Sequence, residues 1–203
     1  MSKTAVVLFN LGGPDRREAV QPFLFNLFFD PAIIRLPLPL RWLLAKVISR
    51  KRAPIAEEIY QEMGGGSPLL PNTEAQAAAL AKVLQERGLG EVKVFIAMRY
   101  WHPRASETAK QVAAYAPDQV ILLPLYPQYS TTTSASSLKE WEGEATVAGV
   151  TAPSRTICCY PQESGFVEAT VVRLREALRE AGQENPPRVL FSAHGLPKKI
   201  VEQ

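Results

Sequence analysis

Residues 5–14 read AVVLFNLGGP. Ala5 to Phe9 are apolar without a break, so no polar residue alternates with them to mark a solvent face. A strand of that kind needs cover on both sides, which is the habit of strands in parallel sheets. Gly12, Gly13 and Pro14 then turn the chain, and a helix follows.

The same unit repeats. Residues 73–88, TEAQAAALAKVLQERG, read as a helix opened by Thr73, with Gln76 completing a capping box and Gly88 ending it. VKVFIAM at 92–98 is the next strand, and Pro103 begins a helix that continues through ASETAKQVAAYA. A strand at 119–127, a helix near 136–145, a strand over 155–160, a helix over 165–182 and a strand over 188–194 complete the series. In the 165–182 helix, Val167, Val171, Leu174 and Leu178 form one apolar stripe. Strands alternating with helices predict an α/β fold, a doubly wound parallel sheet covered on both faces. A seam is expected around residues 148–155, where Gly149, Pro153 and small residues cluster.

Composition narrows the function classes. The chain has 203 residues and a net charge of +3, too mild to imply a nucleic-acid partner. Cys158 and Cys159 are adjacent, so in a strand they point to opposite faces and neither bridge nor chelate one metal. They read as core thiols of a protein in a reducing compartment. The amino terminus has no signal-peptide core, and no apolar run approaches the roughly 18 residues that span a bilayer. A cytoplasmic protein is expected, at most lying on a membrane surface.

In open parallel sheets, ligands sit beyond the carboxyl ends of the strands. Those ends carry NLGGP, MRYWHP, LYPQYSTTTS and SAHGLP. They offer Arg99, Tyr100, Tyr126, Tyr129, several hydroxyls and His194, with few carboxylates, which suits a large, flat, anionic ligand. Phosphate motifs fail: NLGGPD lacks the GxGxxG spacing, and GGGSP lacks the lysine of a P-loop. Both glycine runs read as tight turns. His194, taken bare, reads as a hydrogen-bonded loop residue more readily than as a catalyst.

One segment departs from the even mixing of charge. In PLPLRWLLAKVISRKR, residues 37–52, Leu40, Leu43, Leu44, Val47 and Ile48 follow helical spacing, and Arg50, Lys51 and Arg52 close the helix. This is either a core-packed helix with cations at its favourable end or an amphipathic lip that touches a membrane or an apolar ligand.

LFNLGGP, EEIYQEMGGGSPL, MRYWHP, LLPLYPQYSTTTSASS, YPQESGF and VLFSAHGLP stand in the order and approximate spacing of the ferrochelatases. The chain resembles that family from Ala5 to its last residue. The resemblance implies two Rossmann-like halves around a porphyrin cleft and insertion of ferrous iron into protoporphyrin IX to form protohaem. It places His194 on the family's essential histidine, as acceptor of a pyrrole proton or ligand of the Fe²⁺, with proton acceptance preferred. It places Arg52, Tyr60, Ser67 and Arg99 on porphyrin-binding positions, with Arg52 and Arg99 as forked anchors for propionates. Leu11 occupies a position where some bacterial relatives carry a tyrosine near the metal.

On this resemblance, residues 1–153 form the first half with a cleft lip over about 31–66, and residues 154–203 start a second, incomplete half. No cofactor is expected beyond the iron substrate, and no iron-sulfur cluster. Peripheral membrane contact is expected through 31–52, as is a partner that supplies a missing carboxy-terminal half. The chain alone is expected to be inactive. A non-catalytic porphyrin or haem carrier and a structural interaction module are the competing readings.

Overall fold

The computed structural model describes residues 2–182, 187–192, 195 and 198. Its contacts divide the chain into two units, Met1–Cys158 and Cys159–Gln203.

In the first unit, β1 (Lys3–Asn10) is the centre of a parallel sheet. β2 (Glu91–Met98) lies on one side of it and β3 (Gln119–Pro124) on the other, with β4 (Ser154–Thr156) beyond β3. The absence of polar alternation in residues 5–9 has its reason here. Ala5, Val7 and Phe9 pack against α4 (Ala105–Tyr115) and α5 (Ser134–Ala148), with Trp141 edge-on to Phe9. Val6 and Leu8 point the other way, onto the Ala77 and Leu80 face of α3 (Leu69–Glu86). The expected doubly covered α/β sheet is what forms.

Two helices precede α3 and belong to neither face. α1 (Val20–Phe29) and α2 (Leu38–Glu62) pack on Tyr100 and Trp101, beyond the carboxyl ends of the strands. Their mutual contact is built on small residues: Ala45, Ser49 and Ala53 are buried along one stripe of α2.

Several local expectations need correction. α2 continues ten residues past Arg52, through Pro54, so Arg50, Lys51 and Arg52 lie mid-helix and do not meet the negative end of its dipole. Its apolar face is not core: Leu40, Leu43, Leu44 and Val47 are all exposed, which removes the core-packed alternative. α3 starts at Leu69, four residues before Thr73. Thr73 is fully buried, donates to the Leu69 carbonyl at 2.7 Å and accepts from Asn10 Nδ2 at 3.1 Å, so it ties a helix to a strand end and caps nothing. The strand expected over 155–160 stops at Thr156, and both cysteines are exposed. β4, read as lying beyond the seam, is hydrogen-bonded to β3 and so edges the first sheet.

In the second unit, α6 (Ser164–Glu180) forms where the apolar stripe predicts it. Its first turn is capped by the Glu163 carboxylate, which accepts from the Phe166 N–H at 3.0 Å. Residues 187–192, expected in a strand, have no ladder partner among the described residues.

Candidate functional site

β1 and β2 do not stop cleanly at their last paired residues. The Arg99 N–H donates to the Asn10 carbonyl and the Tyr100 N–H to that of Leu11, each at 2.9 Å. On the other side, the Leu125 N–H reaches the Phe9 carbonyl at 2.8 Å. The crevice where the strand order turns back, between β1 and β3, therefore opens between the 11–15 turn and the 125–133 loop.

The two glycine runs do more than turn the chain. Gly12 has φ +83°, and a Cβ there would stand 2.9 Å from the Trp101 nitrogen. Gly13 faces the Ser67 side chain so closely that a Cβ would overlap its hydroxyl. A Cβ on Gly66 would lie 2.7 Å from the Asp15 carbonyl oxygen. The Ser67 N–H then donates to the Pro14 carbonyl at 2.7 Å. NLGGP and GGGSP, 50 residues apart, are two halves of one backbone-on-backbone contact.

Two of the sequence-predicted residues, Ser67 and Tyr60, lie at this contact. Ser67 is part of it, and its Oγ accepts from the Leu69 N–H at 3.3 Å, opening α3. Tyr60, on α2, packs on the cluster that holds Leu11, Tyr100 and Trp101, and burial pushes its phenol pKa up. Arg52 lies two turns earlier on α2, its guanidinium 5.7 Å from the Phe28 ring centroid, exposed and without a carboxylate among the described residues. Leu11 is half-buried in the same cluster.

Arg99 is placed differently. Its Nη2 donates to Asp30 Oδ2 at 2.7 Å, and its Nη1 meets Glu140 Oε1 at 3.0 Å. The fork expected to take a propionate is thus occupied by two carboxylates. Asp30, with a side chain 2% exposed, also accepts from the Tyr100 hydroxyl at 2.7 Å and from the Ala32 N–H at 2.8 Å. Glu140 Oε1 accepts a hydrogen bond from Arg104 Nη2 at 2.7 Å and so faces both cations. Burial, then the bond to Asp30, drives the Tyr100 phenol far above its ordinary pKa.

Asp30 and Glu140 carried no signal in the sequence. One follows a helix and precedes a proline, the other sits on what reads as a solvated helix face. The apparent lack of carboxylates at the strand ends is made good from α1 and α5. The hydroxyl-rich loop is equally informative: Tyr126 OH, Thr131 Oγ1, Ser134 Oγ, Ser137 Oγ and Arg99 Nε are all buried without a partner. Tyr126 OH and Ser137 Oγ face each other outside hydrogen-bonding geometry, and burial pushes the Tyr126 phenol up to about 12. A cavity of about 540 Å³ opens beside Arg99 and Thr131, bordered by Asp30, Arg35, Lys139 and Glu140.

His194 lies outside the described residues. Among the described residues, no group of three or more His, Cys, Asp or Glu side chains is arranged to hold a metal ion, and no helix is long and apolar enough to cross a membrane.

The sequence matches the family described as Ferrochelatase over residues 3–203. The Ferrochelatase of Phenylobacterium zucineum (strain HLK1) is 57% identical over 201 residues, covering 98% of this chain and 58% of that protein. That of Caulobacter vibrioides (strain NA1000 / CB15N) is 58% identical over 200 residues, covering 98% and 57%. That of Wolbachia sp. subsp. Drosophila simulans (strain wRi) is 51% identical over 201 residues, covering 99% and 64%. The chain therefore spans less than two thirds of the length of these relatives.

Proposed function

The chain belongs to the ferrochelatase family, and on that premise we propose that it forms the porphyrin-holding part of an enzyme that inserts ferrous iron into protoporphyrin IX. The observation that supports this reading is the placing of Tyr60 and Ser67 at the interlocked 11–15 and 64–67 turns, at the carboxyl end of β1, with Arg52 two turns earlier on α2.

Metallation must remove two pyrrole protons and thread a cation into a planar ring whose lone pairs lie in its plane. A pocket that binds a bent ring exposes those lone pairs, storing strain of about 1–5 kcal/mol drawn from contacts remote from the reacting nitrogens. Arg52 is suited to one propionate, since its guanidinium is exposed and meets no carboxylate among the described residues. Tyr60 and Leu11 offer apolar cover to a macrocycle face, and Ser67 fixes the turn beneath it. Arg99, its terminal nitrogens on Asp30 and Glu140 and its Nε buried, is proposed to brace the wall of the cleft and not to hold a propionate. His194 is the proposed acceptor of a pyrrole proton, with transient contact to the iron as its second role. The exposed leucines of α2 are proposed to rest on a membrane surface.

Titrating the chain with protoporphyrin IX and following the Soret band tests the binding reading. Zinc and ferrous iron insertion are then assayed with the chain alone and after mixing with the remaining part of the Phenylobacterium relative. Binding by the chain alone is expected, with insertion only in the mixture, and His194→Ala should abolish insertion while leaving binding largely intact. Binding with no insertion in any mixture would favour a non-catalytic porphyrin carrier. An unmoved Soret band would sink both and leave an interaction module.

A further inference from the structure

Val167, Val171, Leu174 and Leu178 follow one another at intervals of four, three and four residues along α6. That is the narrow repeat of a coiled-coil seam, not the broader stripe of a helix laid on a globular core. All four side chains are exposed, and no residue of α6 is buried, so the seam has no cover among the described residues.

The two flanks of the seam differ. Glu168 and Arg175 stand along one side of it, and Thr170 and Ala177 along the other. Neither Glu168 nor Arg175 has an ion-pair partner among the described residues, whereas Arg173 and Glu176, away from the seam, bond each other at 3.1 Å. A face with one charged and one small flank fits a second helix of the same sequence when the two run antiparallel. Like flanks then meet. Val171 of each copy lies against Leu174 of the other, and Val167 against Leu178. Glu168 of each copy comes opposite Arg175 of the other, twice about one twofold axis. Parallel pairing has neither opposite-charge contact. It sets the charged flank on the small one, turns Glu163, at the helix start, toward Glu168 of the other copy, and aligns the two helix dipoles.

We infer that α6 is a self-association surface, which takes the α6 of a second copy of this chain as an antiparallel pair. The seam is short: one 17-residue helix from each copy falls below the roughly 1,200 Å² of a standard interface, so the pair is weak. A dissociation constant on the order of 100 µM is expected.

Sedimentation equilibrium of the 203-residue chain, from about 10 µM to about 1 mM, should show one chain mass giving way to two. Val171→Gln with Leu174→Gln keeps residues that suit a helix and should weaken the pair by at least about tenfold. The flanking charges then report the orientation. Glu168→Arg leaves two cations on the flank and Arg175→Glu two anions, so each variant alone should pair severalfold more weakly. An equal mixture of the two should regain the wild-type mass distribution, which a merely structural effect of either substitution would not allow. A chain that is monomeric at every concentration overturns the inference, as does a mixture no tighter than its components. So does a pair that survives the α6 substitutions and is lost with Leu40→Ser and Leu43→Ser, which would assign the contact to α2. The face could instead take the remaining part of the Phenylobacterium relative. The chain alone would then stay monomeric, and Val171→Gln with Leu174→Gln would abolish its capture of that part, which also overturns the inference.

Discussion

Pro14 and Ser67 are joined by a backbone hydrogen bond of 2.7 Å, and the Cβ that Gly13 lacks would overlap the Ser67 hydroxyl. Adding that carbon, Gly13→Ala, should destabilise the first unit by about 1–3 kcal/mol through overpacking. Removing the opposing side chain, Ser67→Gly, should recover part of the loss. Urea unfolding followed by tryptophan fluorescence reports on this unit alone, because Trp42, Trp101 and Trp141 all lie within it. A double-mutant cycle showing no coupling would mean that the two turns do not touch in solution.

Tyr100 and Tyr126 are both buried phenols, yet their hydroxyls differ in kind. That of Tyr100 donates to Asp30 at 2.7 Å, whereas that of Tyr126 has no partner of hydrogen-bonding geometry. Tyr100→Phe should cost about 1–3 kcal/mol, since it leaves a buried carboxylate one donor short. Tyr126→Phe should be neutral or stabilising, by about 1 kcal/mol at most, because it removes a polar atom that gains nothing from the folded state. Chemical denaturation of the two variants decides it; the reverse order would show that the Tyr126 hydroxyl has a partner in solution.

The alkaline limb of stability should carry the Tyr126 signature. Its pKa is raised by burial from the ordinary 10 to about 12. Above pH 10 the unfolded chain loses this proton and the folded chain keeps it, so stability is fully present below pH 10 and falls as pH rises through 12. The loss attached to this one phenol is on the order of 2 kcal/mol. Tyr126→Phe should therefore flatten the decline in unfolding free energy between pH 10 and 12. Tyrosinate absorbance rising near pH 10 for this residue in the folded protein would contradict the burial seen here.

What the sequence made legible, and what it hid, divides along a physical line. Local period and turn chemistry sufficed for β1, β2 and α4, because the continuous apolar run at 5–9, the run at 92–98 and Pro103 each act within a few residues. Thr73 misled because a hydroxyl ahead of an alanine-rich run caps a helix only if no earlier residue continues it, and Leu69 to Asn72 do. The basic triplet at 50–52 misled for the same reason: a helix end was inferred from charges that sit mid-helix. The strand expected at 155–160 pairs only as far as Thr156, although β3 runs on to Pro124, and nothing in RTICCY announces that stop. Of the candidate site residues, Tyr60, Ser67 and Arg99 stand in the quoted motifs, and Arg52 came only from the family resemblance those motifs carry. Asp30 and Glu140, which decide what Arg99 can do, lie 69 and 41 residues from it along the chain, and nothing local announces them.

The apolar face of α2 yields the last prediction. Leu40, Leu43, Leu44 and Val47 share one exposed face of α2, with Leu40 at 56% and Leu43 at 55%, while Leu38 and Trp42, the latter under the Lys46 ammonium at 4.5 Å, are exposed around the helix from it. Single exposed leucines need no explanation, but a contiguous apolar helix face flanked by Lys46, Arg50, Lys51 and Arg52 has the make-up of a surface that meets lipid headgroups. Vesicles containing anionic lipid should shift Trp42 emission to the blue, and added salt should weaken the effect as it screens the cations. Burying a leucine side chain is worth about 1.5–3 kcal/mol, so Leu40→Ser with Leu43→Ser should lower the partition by at least about tenfold. Lysine substitutions would not serve, since they add charge to the surface they are meant to remove. If Trp42 emission stays unmoved by vesicles but shifts with protoporphyrin, the face covers the macrocycle and not a membrane.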